Sequence, residues 1–215
     1  GGRLYVNIID YKSSFKTLDL SDVIQGLQLQ LLVYMSAVVK NGEKLFKIPP
    51  EIGGVYYFRI DDPMIDGDQI TEENREHEIF KQLSLKGYVV DDTDIIAGMD
   101  REILSDRKSD IIPVTFNKNG SASKSSKILT MDEFKALLDK TDEIAKNLTE
   151  KIIKGTIDIM PYRKDPENKT PCSYCDYTGV CQFDQSMDGN NYRNIKKLKK
   201  DEILFEILNK GGDDV

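Results

Sequence analysis

The sequence predicts an α/β domain in which a mixed sheet is flanked by helices. A strand pattern over residues 4–12 is followed by a helical pattern over residues 22–40. Two more strand-like stretches, LFKIP and GVYYFRI, come next in the chain. A strand and a helix so close together, followed by further strands, are typical of a mixed α/β sheet.

Composition limits the classes of protein to which the chain can belong. Of its 215 residues, 39% are hydrophobic and 31% are charged, which is typical of a globular protein with a buried core. No apolar run approaches the roughly 20 residues of a membrane span, and the start does not resemble a signal peptide. The net charge of -7 argues against a surface that attracts nucleic acid everywhere, although a local basic groove can coexist with it. The densest basic run, residues 196–200, is interpreted as a solvated face beside the acidic residues 201–202.

The first long helix is predicted together with its boundaries. Apolar residues at helical spacing give the 22–40 segment one buried stripe. Ser21 can cap its start, and Asn41-Gly42 is predicted to end it. Pro49-Pro50 and Gly53-Gly54 are predicted to mark the bend between the next two strands.

The middle of the chain carries shorter elements. A charged helix is predicted over residues 72–86, closed by Gly87, and its His77 is interpreted as solvated rather than as a metal ligand. A short helix in DDTDIIAGMDREI, a short strand at DIIPVTF and a polar loop over 117–127 are predicted to follow. The Asp66-Gly67-Asp68 stretch lacks the rest of a calcium loop and is interpreted as a turn.

The sequence predicts both the start and the end of a later helix. Thr130-x-x-Glu133 has the pattern of a capping box, which opens a helix. The amphipathic pattern continues through Lys154, and Gly155 follows at the end. We therefore expect a long helix in this segment.

Two charges stand at the end of the first strand, in the stretch IIDYKSS. Asp10 and Lys12 are two residues apart, and side chains at that spacing lie on the same face of a strand. Such a pair is either a structural ion pair or a metal-binding carboxylate beside an ammonium that stabilises developing negative charge. The pair by itself leaves both interpretations open.

The helix that follows supplies two polar side chains. Gln30 and Tyr34 are four residues apart and share one face of the helix. Because their polar ends are costly to bury alone, they need partners. Either they form a local hydrogen bond, or they face the strand end that carries Asp10 and Lys12 and orient a phosphate, a water or the lysine. Phosphodiester hydrolysis needs such a set of carboxylate, cation and hydrogen-bond donors.

All three cysteines lie close together, as Cys172-x2-Cys175-x5-Cys181. In a chain without a secretory signal this spacing favours a soft metal or a cluster over a disulfide framework. Structural zinc and iron-sulfur clusters both normally take four protein ligands, and this chain supplies three thiols. Nothing in the surroundings of His77 indicates that it is the fourth ligand.

In combination, these motifs resemble a known family. IIDYKSS followed by QLLVY resembles the RecB-type branch of the PD-(D/E)XK nucleases, in which a D-x-K strand end precedes a helix with Q-x-x-x-Y. The resemblance implies a restriction-endonuclease-like fold. It also implies that Asp10 and the backbone carbonyl of Tyr11 bind Mg2+, and that Lys12 is the catalytic lysine. Gln30 and Tyr34 take the roles of the helix motif.

A second resemblance covers nearly the whole chain. PYRK followed by TPCSYCDYTGVCQFD is similar to the C-terminal region of the AddB (RexB) family, the B subunits of bacterial ATP-dependent helicase-nucleases. GVYYFRIDDPMI and KGYVVDDTDIIAGMD are similar to the same region. In that family three clustered cysteines and a fourth far upstream hold a [4Fe-4S] cluster. The resemblance implies that Cys172, Cys175 and Cys181 are structural ligands of such a cluster.

The resemblance also implies a domain organisation. We expect a nuclease core over residues 1–160 with a helical insertion at about 71–105, followed by the cysteine loop and a closing helix over 161–215. The chain starts at Gly1-Gly2 without Met, and neither the family's upstream acidic ligand nor its fourth cysteine is in it. We therefore expect a chain that is truncated at its N-terminus and, by itself, an impaired or inactive nuclease. Its cysteine loop would then be clusterless, oxidised or bound to adventitious zinc.

The implied function is that of a metal-dependent DNA nuclease domain that cuts one strand while DNA double-strand breaks are processed for recombinational repair. The implied cofactors are Mg2+ and the [4Fe-4S] cluster, and the implied partners are DNA and an AddA-type helicase subunit in a heterodimer, with no membrane. Reduced thiols fit a cytoplasmic location. Two alternatives stay open: a stand-alone RecB-like exonuclease with an iron-sulfur loop, and a non-catalytic module stapled by zinc.

Overall fold

The computed structural model describes residues 2–60, 71, 74–165, 167 and 169–209. Its main sheet has four strands in the order β1-β2-β3-β4. The strands are β1 (Leu4–Lys12), β2 (Pro50–Arg59), β3 (Lys86–Val90) and β4 (Ile128–Leu129). Because β2 is parallel to β1 and antiparallel to β3, the sheet is mixed, which confirms the predicted fold class.

Helices surround this sheet, and a small ribbon follows it. In chain order the helices are α1 (Leu20–Ile24), α2 (Gln30–Phe46), α3 (Arg75–Gln82), α4 (Thr93–Met99), α5 (Ile103–Asp106), α6 (Met131–Ile153), α7 (Thr178–Cys181) and α8 (Lys200–Asn209). The ribbon pairs β5 (Tyr162–Asp165) with β6 (Arg193–Lys196) in parallel. A short 3-10 turn, Pro171–Tyr174, opens the cysteine loop between them.

The core lies between the sheet and the layer formed by α2 and α6. Helix α2 packs on β1 and β2, α6 packs on α2 and β4, and α8 closes the layer by packing on α6 and α1. Apolar side chains from these elements are fully buried, among them Leu31, Met35, Val55, Leu129 and Phe134. Since burying one such side chain contributes about 2 kcal/mol, this layer fixes the position of α2 against β1.

The predicted 22–40 helix is wrong in its boundaries, because the segment forms two helices. Gly26 has a φ of +81°, a left-handed conformation that breaks the helix between α1 and α2. The cap of α1 is Asp19, whose carboxylate accepts the Ser21 N–H at 2.9 Å, so Ser21 lies inside the helix. Gly42 does not end α2 either: a Cβ on it would lie 2.3 Å from Pro50, so it allows α2 to approach β2 closely.

Strand boundaries in this region also differ from the prediction. LFK of LFKIP forms the last turn of α2 and the residue that caps it, where Lys47 has a φ of 62°. Gly53 and Gly54 lie inside β2 rather than at a bend. A Cβ on Gly53 would lie 2.7 Å from the Asn7 side chain, next to the register shift between Val6 and Asn7. These glycines therefore permit close strand contact.

The middle of the chain follows the prediction in part. Helix α3 is shorter than predicted, and Gly87 lies in β3. DDTDIIAGMDREI contains α4 and enters α5. DIIPVTF forms only isolated bridges at its last two residues, Thr115 and Phe116, since Ile112 and Val114 are held in a tight turn. His77 is exposed and lies 3.5 Å from Asp110. The Asp66-Gly67-Asp68 stretch lies outside the described residues.

The capping box at the start of α6 is confirmed. The Thr130 hydroxyl accepts the Glu133 N–H at 3.2 Å, and the Glu133 carboxylate accepts the Thr130 N–H at 2.7 Å. At the other end Lys154 caps the helix and Gly155 has a φ of +69°. Local sequence signals therefore place both ends of this helix.

Candidate active site at the end of the first strand

The end of β1 presents Asp10 and Lys12 on one face of the sheet. In the parallel register Asp10 pairs with Tyr57 and Lys12 with Arg59, so all four side chains stand on the same face. The Lys12 ammonium lies 2.7 Å from Asp10 Oδ2. Only 18% of the Asp10 side chain and 27% of the Lys12 side chain are exposed, so the pair is largely shielded from water.

Helix α2 brings the other two predicted site residues to this strand end. Gln30 is the first residue of α2, and its Oε1 accepts a hydrogen bond from Lys12 Nζ at 3.2 Å. Its Nε2 donates to the Tyr34 hydroxyl at 3.4 Å. The structure therefore connects Asp10, Lys12, Gln30 and Tyr34 in one series of contacts. Tyr34 is half exposed and forms the outer end of that series.

Among the described residues, none donates a hydrogen bond to one oxygen of Asp10. Asp10 Oδ2 is buried, and its contact with Lys12 is a close ion pair without the geometry of a hydrogen bond. Buried polar atoms are nearly always satisfied, and an orphaned carboxylate oxygen is a suitable ligand for a hard cation. Mg2+ commonly takes one or two carboxylates and fills its other positions with water and substrate phosphate, so this donor set fits it. No group of three His, Cys, Asp or Glu side chains is assembled as a metal site anywhere in the described ranges.

The side chain of Tyr11 does not face this site. It points to the opposite face of the sheet, where the ring packs edge-to-face on Phe58 at 5.8 Å between centroids. The carbonyl of the next residue, Lys12, is already used, since it accepts the Ile60 N–H at 3.0 Å. If the strand end binds a cation through main chain, Tyr11 is the residue that fits the predicted role.

Two residues near the site, Lys16 and Tyr57, were not predicted. Lys16 and Lys12 both lie over the Tyr57 ring, with their ammonium nitrogens 5.2 Å and 5.6 Å from its centroid. Burial, and secondarily the Asp10 carboxylate, raise the pKa of Tyr57, so its hydroxyl stays neutral at physiological pH. The alternation in GVYYFRI could have placed Tyr57 on the buried face. Lys16 has no comparable signal, because it lies in the loop after β1.

The three cysteines are close in sequence but do not form a metal site in the described part of the chain. Cys172 is half-buried, and Cys175 and Cys181 are exposed. The Thr170 hydroxyl caps the Cys172 N–H at 3.3 Å, and the Cys175 N–H points to the Cys172 carbonyl at 3.4 Å. Three thiols are one ligand short of the usual four, so these residues fit a cluster only as part of a larger ligand set.

A network of hydrogen bonds joins the base of the cysteine loop to α1 and to the turn before α2. Lys164, in β5, donates to both carboxylate oxygens of Asp22 at 2.7 Å. Asp22 also accepts from Gln28 Nε2 at 3.0 Å, and Gln28 Oε1 accepts the Asp19 N–H at 3.2 Å. Gln28 lies two residues before Gln30, so the ribbon restrains the turn that positions Gln30.

Lys164→Met is expected to destabilise the chain by about 1–2 kcal/mol. Removing the lysine leaves the mostly buried Asp22 carboxylate without its charged donor, a loss reduced by the partial exposure of the pair. Urea unfolding measures the change. Lys169→Met is the matched control, because its ion pair with Glu167 is exposed. Equal stability of the two variants would contradict the restraining role of Lys164.

Gln30→Leu is expected to slow cleavage more than Tyr34→Phe, because Gln30 contacts Lys12 directly and Tyr34 does not. Gln30 holds the lysine directly, and one hydrogen bond to a charged group contributes about 1.5–3 kcal/mol, which corresponds to a loss of tenfold or more. Tyr34→Phe removes only the weaker 3.4 Å contact, so its loss should stay within a few fold. Steady-state cleavage rates of the two variants give this order, and a larger loss for Tyr34→Phe would refute it.

The fold is a mixed α/β domain, and the end of its first strand presents a carboxylate and a lysine beside the polar start of a helix. Metal-dependent hydrolysis of phosphodiesters requires such a set of groups, so fold and site together define a phosphodiester hydrolase. The comparison with known families agrees with this class. A family model of the PD-(D/E)XK nuclease superfamily matches residues 1–182. The chain belongs to this superfamily, which confirms the resemblance drawn from the motifs.

Curated relatives share one name, which describes each as the B subunit of an ATP-dependent helicase/deoxyribonuclease. The chain is 45% identical to the protein of that name from Alkaliphilus metalliredigens over 203 residues, which cover 94% of this chain and 17% of the relative. It is 43% identical to the one from Thermoanaerobacter sp. over 220 residues, which cover 100% of this chain and 19% of the relative. The chain thus spans less than a fifth of the length of these relatives. No helix in the described ranges has the length and hydropathy that crossing a membrane requires.

Proposed function

We propose that this chain is the nuclease domain of the B subunit of a helicase-nuclease and that it hydrolyses phosphodiester bonds of one DNA strand. The observation that carries the proposal is the position of Lys12, which contacts both Asp10 and Gln30 at the end of β1. The relatives' shared name supports the assignment to a helicase-nuclease, and we propose that the parent complex processes double-strand breaks for recombinational repair.

The chemistry assigned to each residue follows from its contacts. Asp10 and the Tyr11 carbonyl would hold Mg2+, which when bound supplies positive charge at the phosphate and a more acidic water. Lys12 binds a non-bridging phosphate oxygen and stabilises the charge that grows on it as water attacks phosphorus and the ester P–O bond breaks. Gln30 holds the Lys12 ammonium in place, and Tyr34 holds Gln30. The attacking water gives up a proton to the solvent, and the leaving oxygen takes its proton from water.

For the cysteine loop we propose a [4Fe-4S] cluster with Cys172, Cys175 and Cys181 as ligands and a fourth cysteine from outside this chain. The three clustered thiols and the network from the ribbon to Asp22 support a structural role. Iron and acid-labile sulfide in equal amounts, measured on the complete protein, are the expected result. Zinc without sulfide would instead support a zinc-stapled module.

We also propose the partner and the location. The relatives' name supports a helicase partner, of the AddA type, in a heterodimer that acts on DNA. Cysteines without disulfide bonds fit a cytoplasmic location.

The experiment that tests the proposed function is Mg2+-dependent degradation of end-labelled linear DNA by the complete helicase-nuclease, with unwinding recorded in parallel. Wild type is compared with Asp10→Ala. Loss of cleavage on one strand with normal unwinding supports the nuclease role. Unchanged cleavage would mean that Asp10 and Lys12 are a structural ion pair.

A further inference from the structure

A basic groove lies next to the candidate active site. Its volume is about 630 Å3, and it is lined by the loop after β1, by β3 and by the junction of β6 and α8. We call it the lysine groove, because its charged lining residues are Lys127, Lys197, Lys199, Lys200 and one carboxylate, Asp19. In a chain with a net charge of -7, this concentration of lysines is a local reversal of sign.

The lysine groove and the active site lie on the same face of the sheet. Tyr57 pairs with Lys86 and Val55 with Tyr88, so Tyr57 and Tyr88 are diagonal neighbours on the face that carries Asp10. Each of the two buried rings supports a lysine. Lys16 lies 5.2 Å from the Tyr57 centroid, and Lys127 lies 5.6 Å from the Tyr88 centroid. The lysines over these two rings therefore form a row from Lys12 to the lysine groove.

Most of the lysines along this route are not neutralised. Lys197 is 78% exposed and lies 3.6 Å from Asp19, whose carboxylate also caps α1. Among the described residues, Lys16, Lys127 and Lys199 form no ion pair with a carboxylate. Lys200 differs from them, because it donates to the Ile128 carbonyl at 2.7 Å. The basic run over 196–200 is therefore a solvated face in part, and Lys200 anchors it to the sheet.

We propose that Lys16, Lys127, Lys197 and Lys199 bind the phosphate backbone of the DNA strand that leads to Lys12. The proposal rests on the proposed nuclease function and adds the path of the substrate. Ammonium groups contact phosphates as point charges and do not read bases. Tyr57 and Tyr88 are buried beneath the lysines, so no base stacks on them. This path binds DNA independently of its sequence.

Lysine acetylation in the complete helicase-nuclease tests the path residue by residue. The complex is held in EDTA, so that DNA stays intact, with duplexes that carry single-stranded tails of increasing length. Mass spectrometry then gives the extent of acetylation at each lysine. We expect the four path lysines to become protected at the tail lengths that are cleaved once Mg2+ is restored. Exposed Lys118, Lys146 and Lys151 serve as controls and should keep reacting. Path lysines that react like the controls at every such length would overturn the proposal.

A charge-removal variant measures the contribution of the path to binding. The variant Lys127→Gln/Lys197→Gln/Lys199→Gln is tested for binding of single-stranded DNA at several salt concentrations. The slope of log binding constant against log salt concentration should become less steep by about 2, because each lost phosphate contact removes about 0.7. The matched variant Lys118→Gln/Lys146→Gln/Lys151→Gln changes the net charge equally and should keep the wild-type slope. Equal slopes for the two variants would refute the path.

Failure of the path and failure of the proposed nuclease function give different results. If Asp10→Ala abolishes cleavage but the path lysines stay unprotected, the DNA path is refuted and the proposed nuclease function is supported. If the lysines are protected but Asp10→Ala leaves cleavage unchanged, the proposed nuclease site is refuted and the proposed DNA-binding face is supported.

Discussion

Lys12→Met is expected to slow Mg2+-dependent DNA cleavage by the complete helicase-nuclease by about 10²–10³-fold, the loss typical of removing one group that stabilises transition-state charge. The ammonium is held from two sides, by Asp10 at 2.7 Å and by Gln30 at 3.2 Å, so it is fixed before the substrate arrives. Methionine keeps an unbranched side chain of nearly the same length but lacks the positive charge that lies over the Tyr57 ring. Single-turnover rates on end-labelled DNA measure the effect.

The Mg2+ requirement of this variant separates a catalytic lysine from a structural one. In wild type the ammonium lies against the same Asp10 oxygen to which no described residue donates a hydrogen bond. Removing the positive charge should therefore leave the Mg2+ concentration for half-maximal cleavage unchanged or lower it, while Asp10→Asn should raise it. Lys44→Met, on the exposed last turn of α2, is the control and should cleave at the wild-type rate. A Lys12→Met rate within threefold of that control would contradict the catalytic role.

Gly87→Ala is expected to destabilise the chain by about 3 kcal/mol, at the upper end for an overpacked site. A Cβ on Gly87 would lie 1.8 Å from the Val55 carbonyl oxygen and 2.8 Å from the Tyr56 Cα. Both neighbours are backbone atoms of β2, so the clash can be relieved only if β3 moves away from its partner strand. At 2–4 °C per kcal/mol for a chain of this size, the melting temperature should fall by roughly 6–12 °C.

Gly98→Ala is the matched control for this prediction. Gly98 lies in α4 and is exposed, and apart from its chain neighbours and the backbone of its own helix no described atom lies within 4 Å of the position that a Cβ would take. Alanine there should be neutral or stabilise by up to about 1 kcal/mol, because it lowers the entropy of the unfolded chain. Thermal unfolding of the two variants side by side gives the comparison. A melting temperature for Gly87→Ala equal to that for Gly98→Ala would refute the close contact of the two strands.

The candidate site shows which contacts could be predicted from the spacing of residues in the sequence. Asp10 and Lys12 were predicted to be neighbours because strand side chains alternate, and Gln30 and Tyr34 because helix faces repeat. Both relations depend on spacing alone. Contact between the two pairs depends on how α2 packs on β1, and the residue pattern left that contact as one of two alternatives. Lys16 escaped prediction because its neighbour Tyr57 comes from β2, far along the chain.

Sequence alone was sufficient to establish the family, the mixed α/β class and the elements with local signals, such as the capping box of α6. The roles of Gly42, Gly53 and Gly87 became visible only in the folded chain. Each glycine was predicted to end or bend an element, and each instead permits close approach of another part of the chain. The physical reason is that a missing Cβ favours turns and close packing equally. Only the neighbouring backbone or side chain distinguishes the two, and that neighbour comes from another element.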